Sequence, residues 1–184
     1  SGPCGPDTEM FFWTGKEKAP EVFDPKDRRW VEIWNDVFMQ YNKSREGKFN
    51  ELERKNVDTG MGVERTVAVL QGFKDNYKTM IFEPIIKEIE FISGKPYEGN
   101  EKAMRIITDH LRAAVFILGD SRGIKPGNVQ QGYVLRRLIR RAIRYAQMLG
   151  IEDNFTKKIA EVVVMKYKDY SELERNEKFI YMEL

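Results

Sequence analysis

The sequence predicts an α+β chain: a partial antiparallel sheet with one short helix up to about residue 94, then an all-helical segment over 95–184. Three observations carry that prediction. The first 60 residues hold aromatic and β-branched runs separated by charged, proline-bearing turns. The apolar period changes from about two to about 3.6 residues at Val63. Beyond it, "SGKPYEGN", "GDSRGIKPGN" and "LGIEDN" punctuate the pattern with helix breakers.

The elements follow in order. "DTEMFFW" and "VEIWNDVFMQY" read as strands, joined by the charged loop "TGKEKAPEVFDPKDRR" with its two prolines. "NKSREGKFNELERKN" reads as a polar connection. Val63, Val67 and Leu70 share one face of a short helix that Gly72 closes. Further helices are predicted at 76–92, 100–118, 129–148 and 153–168, with a last one from about Ser171.

Composition narrows the functional classes. A single cysteine, Cys4, excludes an internal disulfide, and with one histidine it cannot make a structural zinc site unaided. No apolar run approaches the roughly 18 residues of a membrane span, and no signal-peptide pattern opens the chain. A soluble, cytoplasmic protein is expected. The chain lacks an initiator methionine and runs out in a helical stretch with no terminator, so a piece of a longer polypeptide is expected.

Net charge is +2 but unevenly spread. Residues 101–150 hold ten Lys/Arg against three Asp/Glu, while 1–100 and 151–184 are both net negative. Within the basic segment, "QQGYVLRRLIRRAIRYAQMLG" sets Arg136, Arg137, Arg140, Arg141 and Arg144 within about 140° of helix surface. Val134, Leu135, Leu138, Ile139, Ala142, Ile143 and Tyr145 fill the other side. No acid lies between 121 and 151, so the face cannot be laced by i,i+4 pairs. Either it meets a phosphate backbone or it pairs with the acidic flanks.

In "VDTGMGVER", Gly60 and Gly62 bare the backbone ahead of a helix that Arg65 enters, where a guanidinium and unpaired amides can face one anion. A plain strand-to-helix turn is the alternative. It is neither a P-loop nor a dinucleotide fingerprint.

The stretch resembles the third signature of class II aminoacyl-tRNA synthetases. Around it "GPCGPDTEMFF", "EIWNDVFMQYN", "RIITDHLRAAVFILGD" and "GYVLRRLIRRAIRYAQMLG" resemble successive segments of the alanyl-tRNA synthetase family, in order, to about residue 150. The resemblance implies that 1–94 is the end of a class II aminoacylation domain, a partial antiparallel synthetase sheet with the signature-three helix. Residues 95–184 would begin the helical tRNA-recognition domain.

It further implies ATP with Mg²⁺ as the substrate complex, Arg65 and Gly62 at ATP, and Asn35, Val37, Asp58 and Gly60 around alanine. Asp58 would take the ammonium group and Val37 would wall a pocket one methyl deep. Glu9 would face ATP or magnesium, or be an ordinary strand carboxylate. Asn128 corresponds to the family's reader of a G·U wobble in the acceptor stem of alanine tRNA, or else caps the following helix. No residue is expected to act as acid, base or nucleophile, and His110 reads as structural or surface. The family's first two signatures and its editing domain would lie outside these 184 residues, upstream and downstream, which would leave the chain inactive alone. A non-catalytic acceptor-stem binding module is the alternative function.

Overall fold

The computed structural model describes residues 1–184 and divides into two compact units, Ser1–Thr79 and Met80–Leu184. The first holds strands β1 (Gly2–Cys4), β2 (Asp7–Trp13), β3 (Trp30–Lys43) and β4 (Phe49–Met61), then helix α1 (Val63–Leu70) and a 3₁₀ turn at Asn76–Lys78. The second is helical: α2 (Glu83–Ser93), α3 (Glu101–Gly119), α4 (Gln130–Met148), α5 (Thr156–Lys166), α6 (Ser171–Arg175) and α7 (Glu177–Glu183).

The sheet is antiparallel throughout, with β3 at its centre. β1 and β2 follow one another along one edge of β3, and β4 takes the other. At Gly5 the chain passes close beside the middle of β3, where the Phe38 amide donates to the Pro6 carbonyl at 2.9 Å. The loop after β2 returns onto the sheet through rings. Phe11 meets Phe23 at 4.7 Å, Phe23 meets Trp30 at 5.6 Å, and Trp13 meets Trp30 at 4.9 Å between centroids.

β4 corrects the sequence reading, which takes most of that stretch for a polar connection. Its residues are exposed almost throughout. An edge strand wet on both faces needs no apolar alternation, because its backbone bonds to β3 hold it.

α1 differs in roll from the prediction. Ala68 is buried while Val63 and Leu70 are 60% and 80% exposed. Two hydrogen bonds fix that roll: the Gly62 amide donates to the Ile33 carbonyl at 2.9 Å, and Arg65 Nη1 donates to the Glu32 carbonyl at 2.8 Å. Both acceptors lie where β3 bulges against β2, between the Trp34–Met10 and Glu32–Phe11 pairs.

The helix expected over 76–92 is two elements. Asp75 accepts from the Tyr77 amide to close the 3₁₀ turn, and α2 starts only at Glu83 with Pro84 in its first turn. α2 packs on α5 and α3, so the compact units meet at 79/80, one helix before the functional division expected at 94/95.

α3 is the axis of the second unit, in contact with every other helix there. Met104, Ile107, Leu111, Val115 and Leu118 are wholly buried along it, joined by Ile85 and Ile89 of α2, Ile159 of α5 and Ile180 of α7. α4 lies along α3 through Leu135, Ala142 and Ala146. Its apolar side is narrower than the wheel predicts, since Val134 and Ile143 remain 51% and 37% exposed. A helix packed chiefly on one neighbour buries a stripe, not half its circumference.

Candidate functional site

In the sheet unit, strand register gathers the candidate residues. Asn35 pairs with Glu9 on one side and Gly60 on the other, and Val37 pairs likewise with Asp7 and Asp58. Residues two apart on a strand share a face, so these two rows line the same side of the sheet. Asn35 Nδ2 donates to Glu9 Oε1 at 3.3 Å, which ties the first row together. Asn35 and Val37 are half-buried, whereas Asp58 and Glu9 are exposed. A Cβ on Gly60 would meet nothing within 4 Å, so the glycine leaves the floor beside Asn35 open without being forced by packing. The other face carries Met10, Phe38, Val57 and Met61, all at least 39% exposed.

Arg65 is anchored at Glu32, three residues along β3 from Asn35, or about 10 Å along a strand. Its Nη1 also lies 3.9 Å from the Glu32 carboxylate. One amino group is thus fixed, and the guanidinium's remaining donors point away from that bond. The Gly62 amide is spent on Ile33, but those of Val63, Glu64 and Arg65 precede the first helical bond, from Thr66 to Gly62. Glu32 is a residue that sequence reading misses, since no local spacing links it to Arg65.

The second unit presents the arginines. Arg137, Arg140, Arg141 and Arg144 are exposed, Arg136 is half-buried, and all five lie opposite the buried Leu135–Ala142–Ala146 stripe. None has a carboxylate within 4.0 Å in its own unit, so the acidic 151–184 segment does not neutralise them. Tyr133 sits among them, its ring 5.8 Å from Arg136 and 5.6 Å from Arg137. Tyr133 was legible in the sequence as the i−3 and i−4 neighbour of those arginines. With Gln147 and Ile143 these side chains fringe an open hollow of about 700 Å³. Asn128 is exposed in the turn before α4. It does not cap that helix: Val129 occupies the cap position and no side chain bonds the helix end.

His110, half-buried on α3, responds to this charge. Burial and the positive Arg141 hold its imidazole below the usual value, against a smaller opposing pull from Asp109. The unfolded chain therefore binds the proton more readily, and stability rises with pH through the window between the depressed folded value and about 6.5. Helical-unit stability should accordingly fall from pH 7 to pH 5, and His110→Gln should flatten that fall. Thermal unfolding of both proteins across this range checks it; parallel pH profiles would refute the assignment.

All 184 residues match the family model described as "tRNA synthetases class II (A)". The alanine-tRNA ligase of Borreliella afzelii is 53% identical over the whole chain, that of Treponema denticola 52% over 98% of it, and that of Desulfitobacterium hafniense 44% over 97%. The chain spans 32%, 31% and 21% of those three proteins. No helix is long and apolar enough to cross a membrane.

Proposed function

We propose that this chain, which belongs to the class II (A) family of tRNA synthetases, divides alanine activation and tRNA contact between its two units. The sheet unit would supply part of the pocket in which alanine and ATP form alanyl-adenylate and pyrophosphate. The helical unit would hold the acceptor stem of alanine tRNA for the transfer that follows. Such work belongs in the cytoplasm, with protein synthesis.

The observation that carries the reading is the pair of rows Glu9–Asn35–Gly60 and Asp7–Val37–Asp58 on one face. In that pocket Asp58 would pair with the substrate ammonium and Asn35 would donate to its carboxylate. Val37 would close the space beyond the methyl group. A wall of this kind discriminates weakly, since one methylene is worth only about 1–3 kcal/mol, so glycine and serine should enter too. Arg65, held by Glu32 through one amino group, keeps donors for a phosphate. Magnesium would arrive on the ATP phosphates, with Glu9 as a candidate contact. Catalysis would rest on positioning and charge stabilisation, without a covalent enzyme intermediate.

Alanyl sulfamoyl-adenosine, a stable mimic of the adenylate, tests the assignment by nuclear magnetic resonance. The amides of Asn35, Val37, Asp58 and Gly60 should shift, and those of Trp34 and Phe38 should not. Shifts confined to the Trp34 face, or persisting unchanged in Asp58→Ala, would sink it. The family's signature-two arginine is expected outside this chain. Alanine-dependent pyrophosphate exchange by the chain alone should therefore not exceed that of an Arg65→Ala control.

A further inference from the structure

The turn that carries Asn128 is braced from both ends. The Gly127 amide donates to the Gly132 carbonyl at 2.9 Å, closing residues 127–132 into a loop. Gly132 is pressed so closely on the Lys125 carbonyl that a Cβ there would lie 2.6 Å from it. Gln130, between them, is the one non-glycine residue with positive φ, at 48°. A residue in that region persists only where its surroundings hold it.

Part of what holds it comes from far along the chain. Lys125 Nζ lies 3.1 Å from Glu183 Oε1 and 5.2 Å from the centre of the Phe179 ring, both on α7. Glu183 is only 19% exposed on its side chain while Lys125 is 61% exposed, so the pair is held on its α7 side and open to solvent on the other. α7 in turn is seated on α3 by Ile180, which is fully buried.

We infer that Phe179 and Glu183 of α7 are positioning residues that act through Lys125 to fix the turn presenting Asn128 for base-pair readout. The inference rests on the acceptor-stem reading of the helical unit. Its chemistry is separate from the arginine face: the arginines grip phosphate whatever the sequence, whereas an exposed amide discriminates only if its direction is set. A rotating Asn128 would offer donor and acceptor to any pair. A turn tied to α7 fixes the direction from which the Asn128 side chain leaves the backbone and so narrows what its amide can face.

Glu183→Gln is the informative variant, because it removes a negative charge and so cannot weaken phosphate attraction. Two readouts apply: hydrogen exchange at the Gly127 amide, and the affinity ratio between short acceptor-stem duplexes carrying G·U or G·C. Glu183→Gln should speed Gly127 exchange roughly fivefold and bring the ratio towards one, with G·C affinity and α3 exchange unchanged. The swap of Lys125→Glu with Glu183→Lys should restore slow exchange. Unchanged Gly127 exchange overturns the inference, and so does acceleration spread equally over α3, which would mark a merely structural role. A ratio that survives Glu183→Gln yet collapses in Asn128→Ala also overturns it. If Asn128→Ala leaves the ratio untouched, the recognition reading itself fails, and Gly127 exchange still decides whether α7 braces the turn.

Discussion

Gly5→Ala is expected to destabilise the sheet unit by about 3 kcal/mol or more, at the upper end of overpacking costs. The added methyl would sit 1.6 Å from the Phe38 carbonyl oxygen and 2.6 Å from its carbon. These are backbone atoms in the middle of the central strand, where Phe38 pairs with Val57 of β4. No side-chain rotation relieves the overlap. Moving Phe38 would break the hydrogen bond its amide donates to the Pro6 carbonyl and disturb both edges of the sheet. All three tryptophans, Trp13, Trp30 and Trp34, belong to this unit, so their fluorescence during urea unfolding reports on it selectively. Gly60→Ala is the control, since its methyl meets nothing within 4 Å. Equal midpoints for the two variants would show that the β1–β2 junction does not press on β3 as described.

The second large effect concerns the arginines. Arg137→Glu with Arg144→Glu should lower affinity for an acceptor-stem duplex by more than about 100-fold near 0.1 M salt, given about 1.5–3 kcal/mol for each charge-assisted contact. The plot of log affinity against log salt should flatten by about two, one unit for each phosphate contact removed. Both side chains are exposed and neither has a carboxylate partner, so the fold loses no ion pair and helix content should persist. An unchanged salt slope would remove α4 from the proposed RNA contact. A fall in affinity with loss of helix would assign the arginines to stability instead.

The helices were legible because their apolar period is strong: α3 and α4 lie within one residue of prediction at either end. The arginine face followed from the same geometry. β4 was not legible, since its exposed run shows no apolar alternation and only its pairing marks it as a strand, Phe49 to Glu51 and Asn56 to Met61 lying against β3. Nor was the roll of α1, which two bonds to β3 decide against its apolar pattern. In the sheet, the i,i+2 spacing of Asn35 with Val37 and of Asp58 with Gly60 is visible in the chain. That Glu9 and Gly60 both flank Asn35 depends on register, which spans three strands and a bulge.

That bulge has a consequence for how the sheet is numbered. Along β2, Glu9, Phe11 and Trp13 keep odd parity, while their partners on β3 are Asn35, Glu32 and Trp30. β3 therefore changes phase by one residue near Ile33, and its even-numbered start joins the odd-numbered row that holds Asn35 and Val37. The extra residue works as a vernier between two blocks of sequence, one built of stacked rings and one holding Asn35 and Val37. Segments exchanged with a relative should then travel as a whole from Trp30 to Val37, because a junction placed inside would set one block out of step with the other.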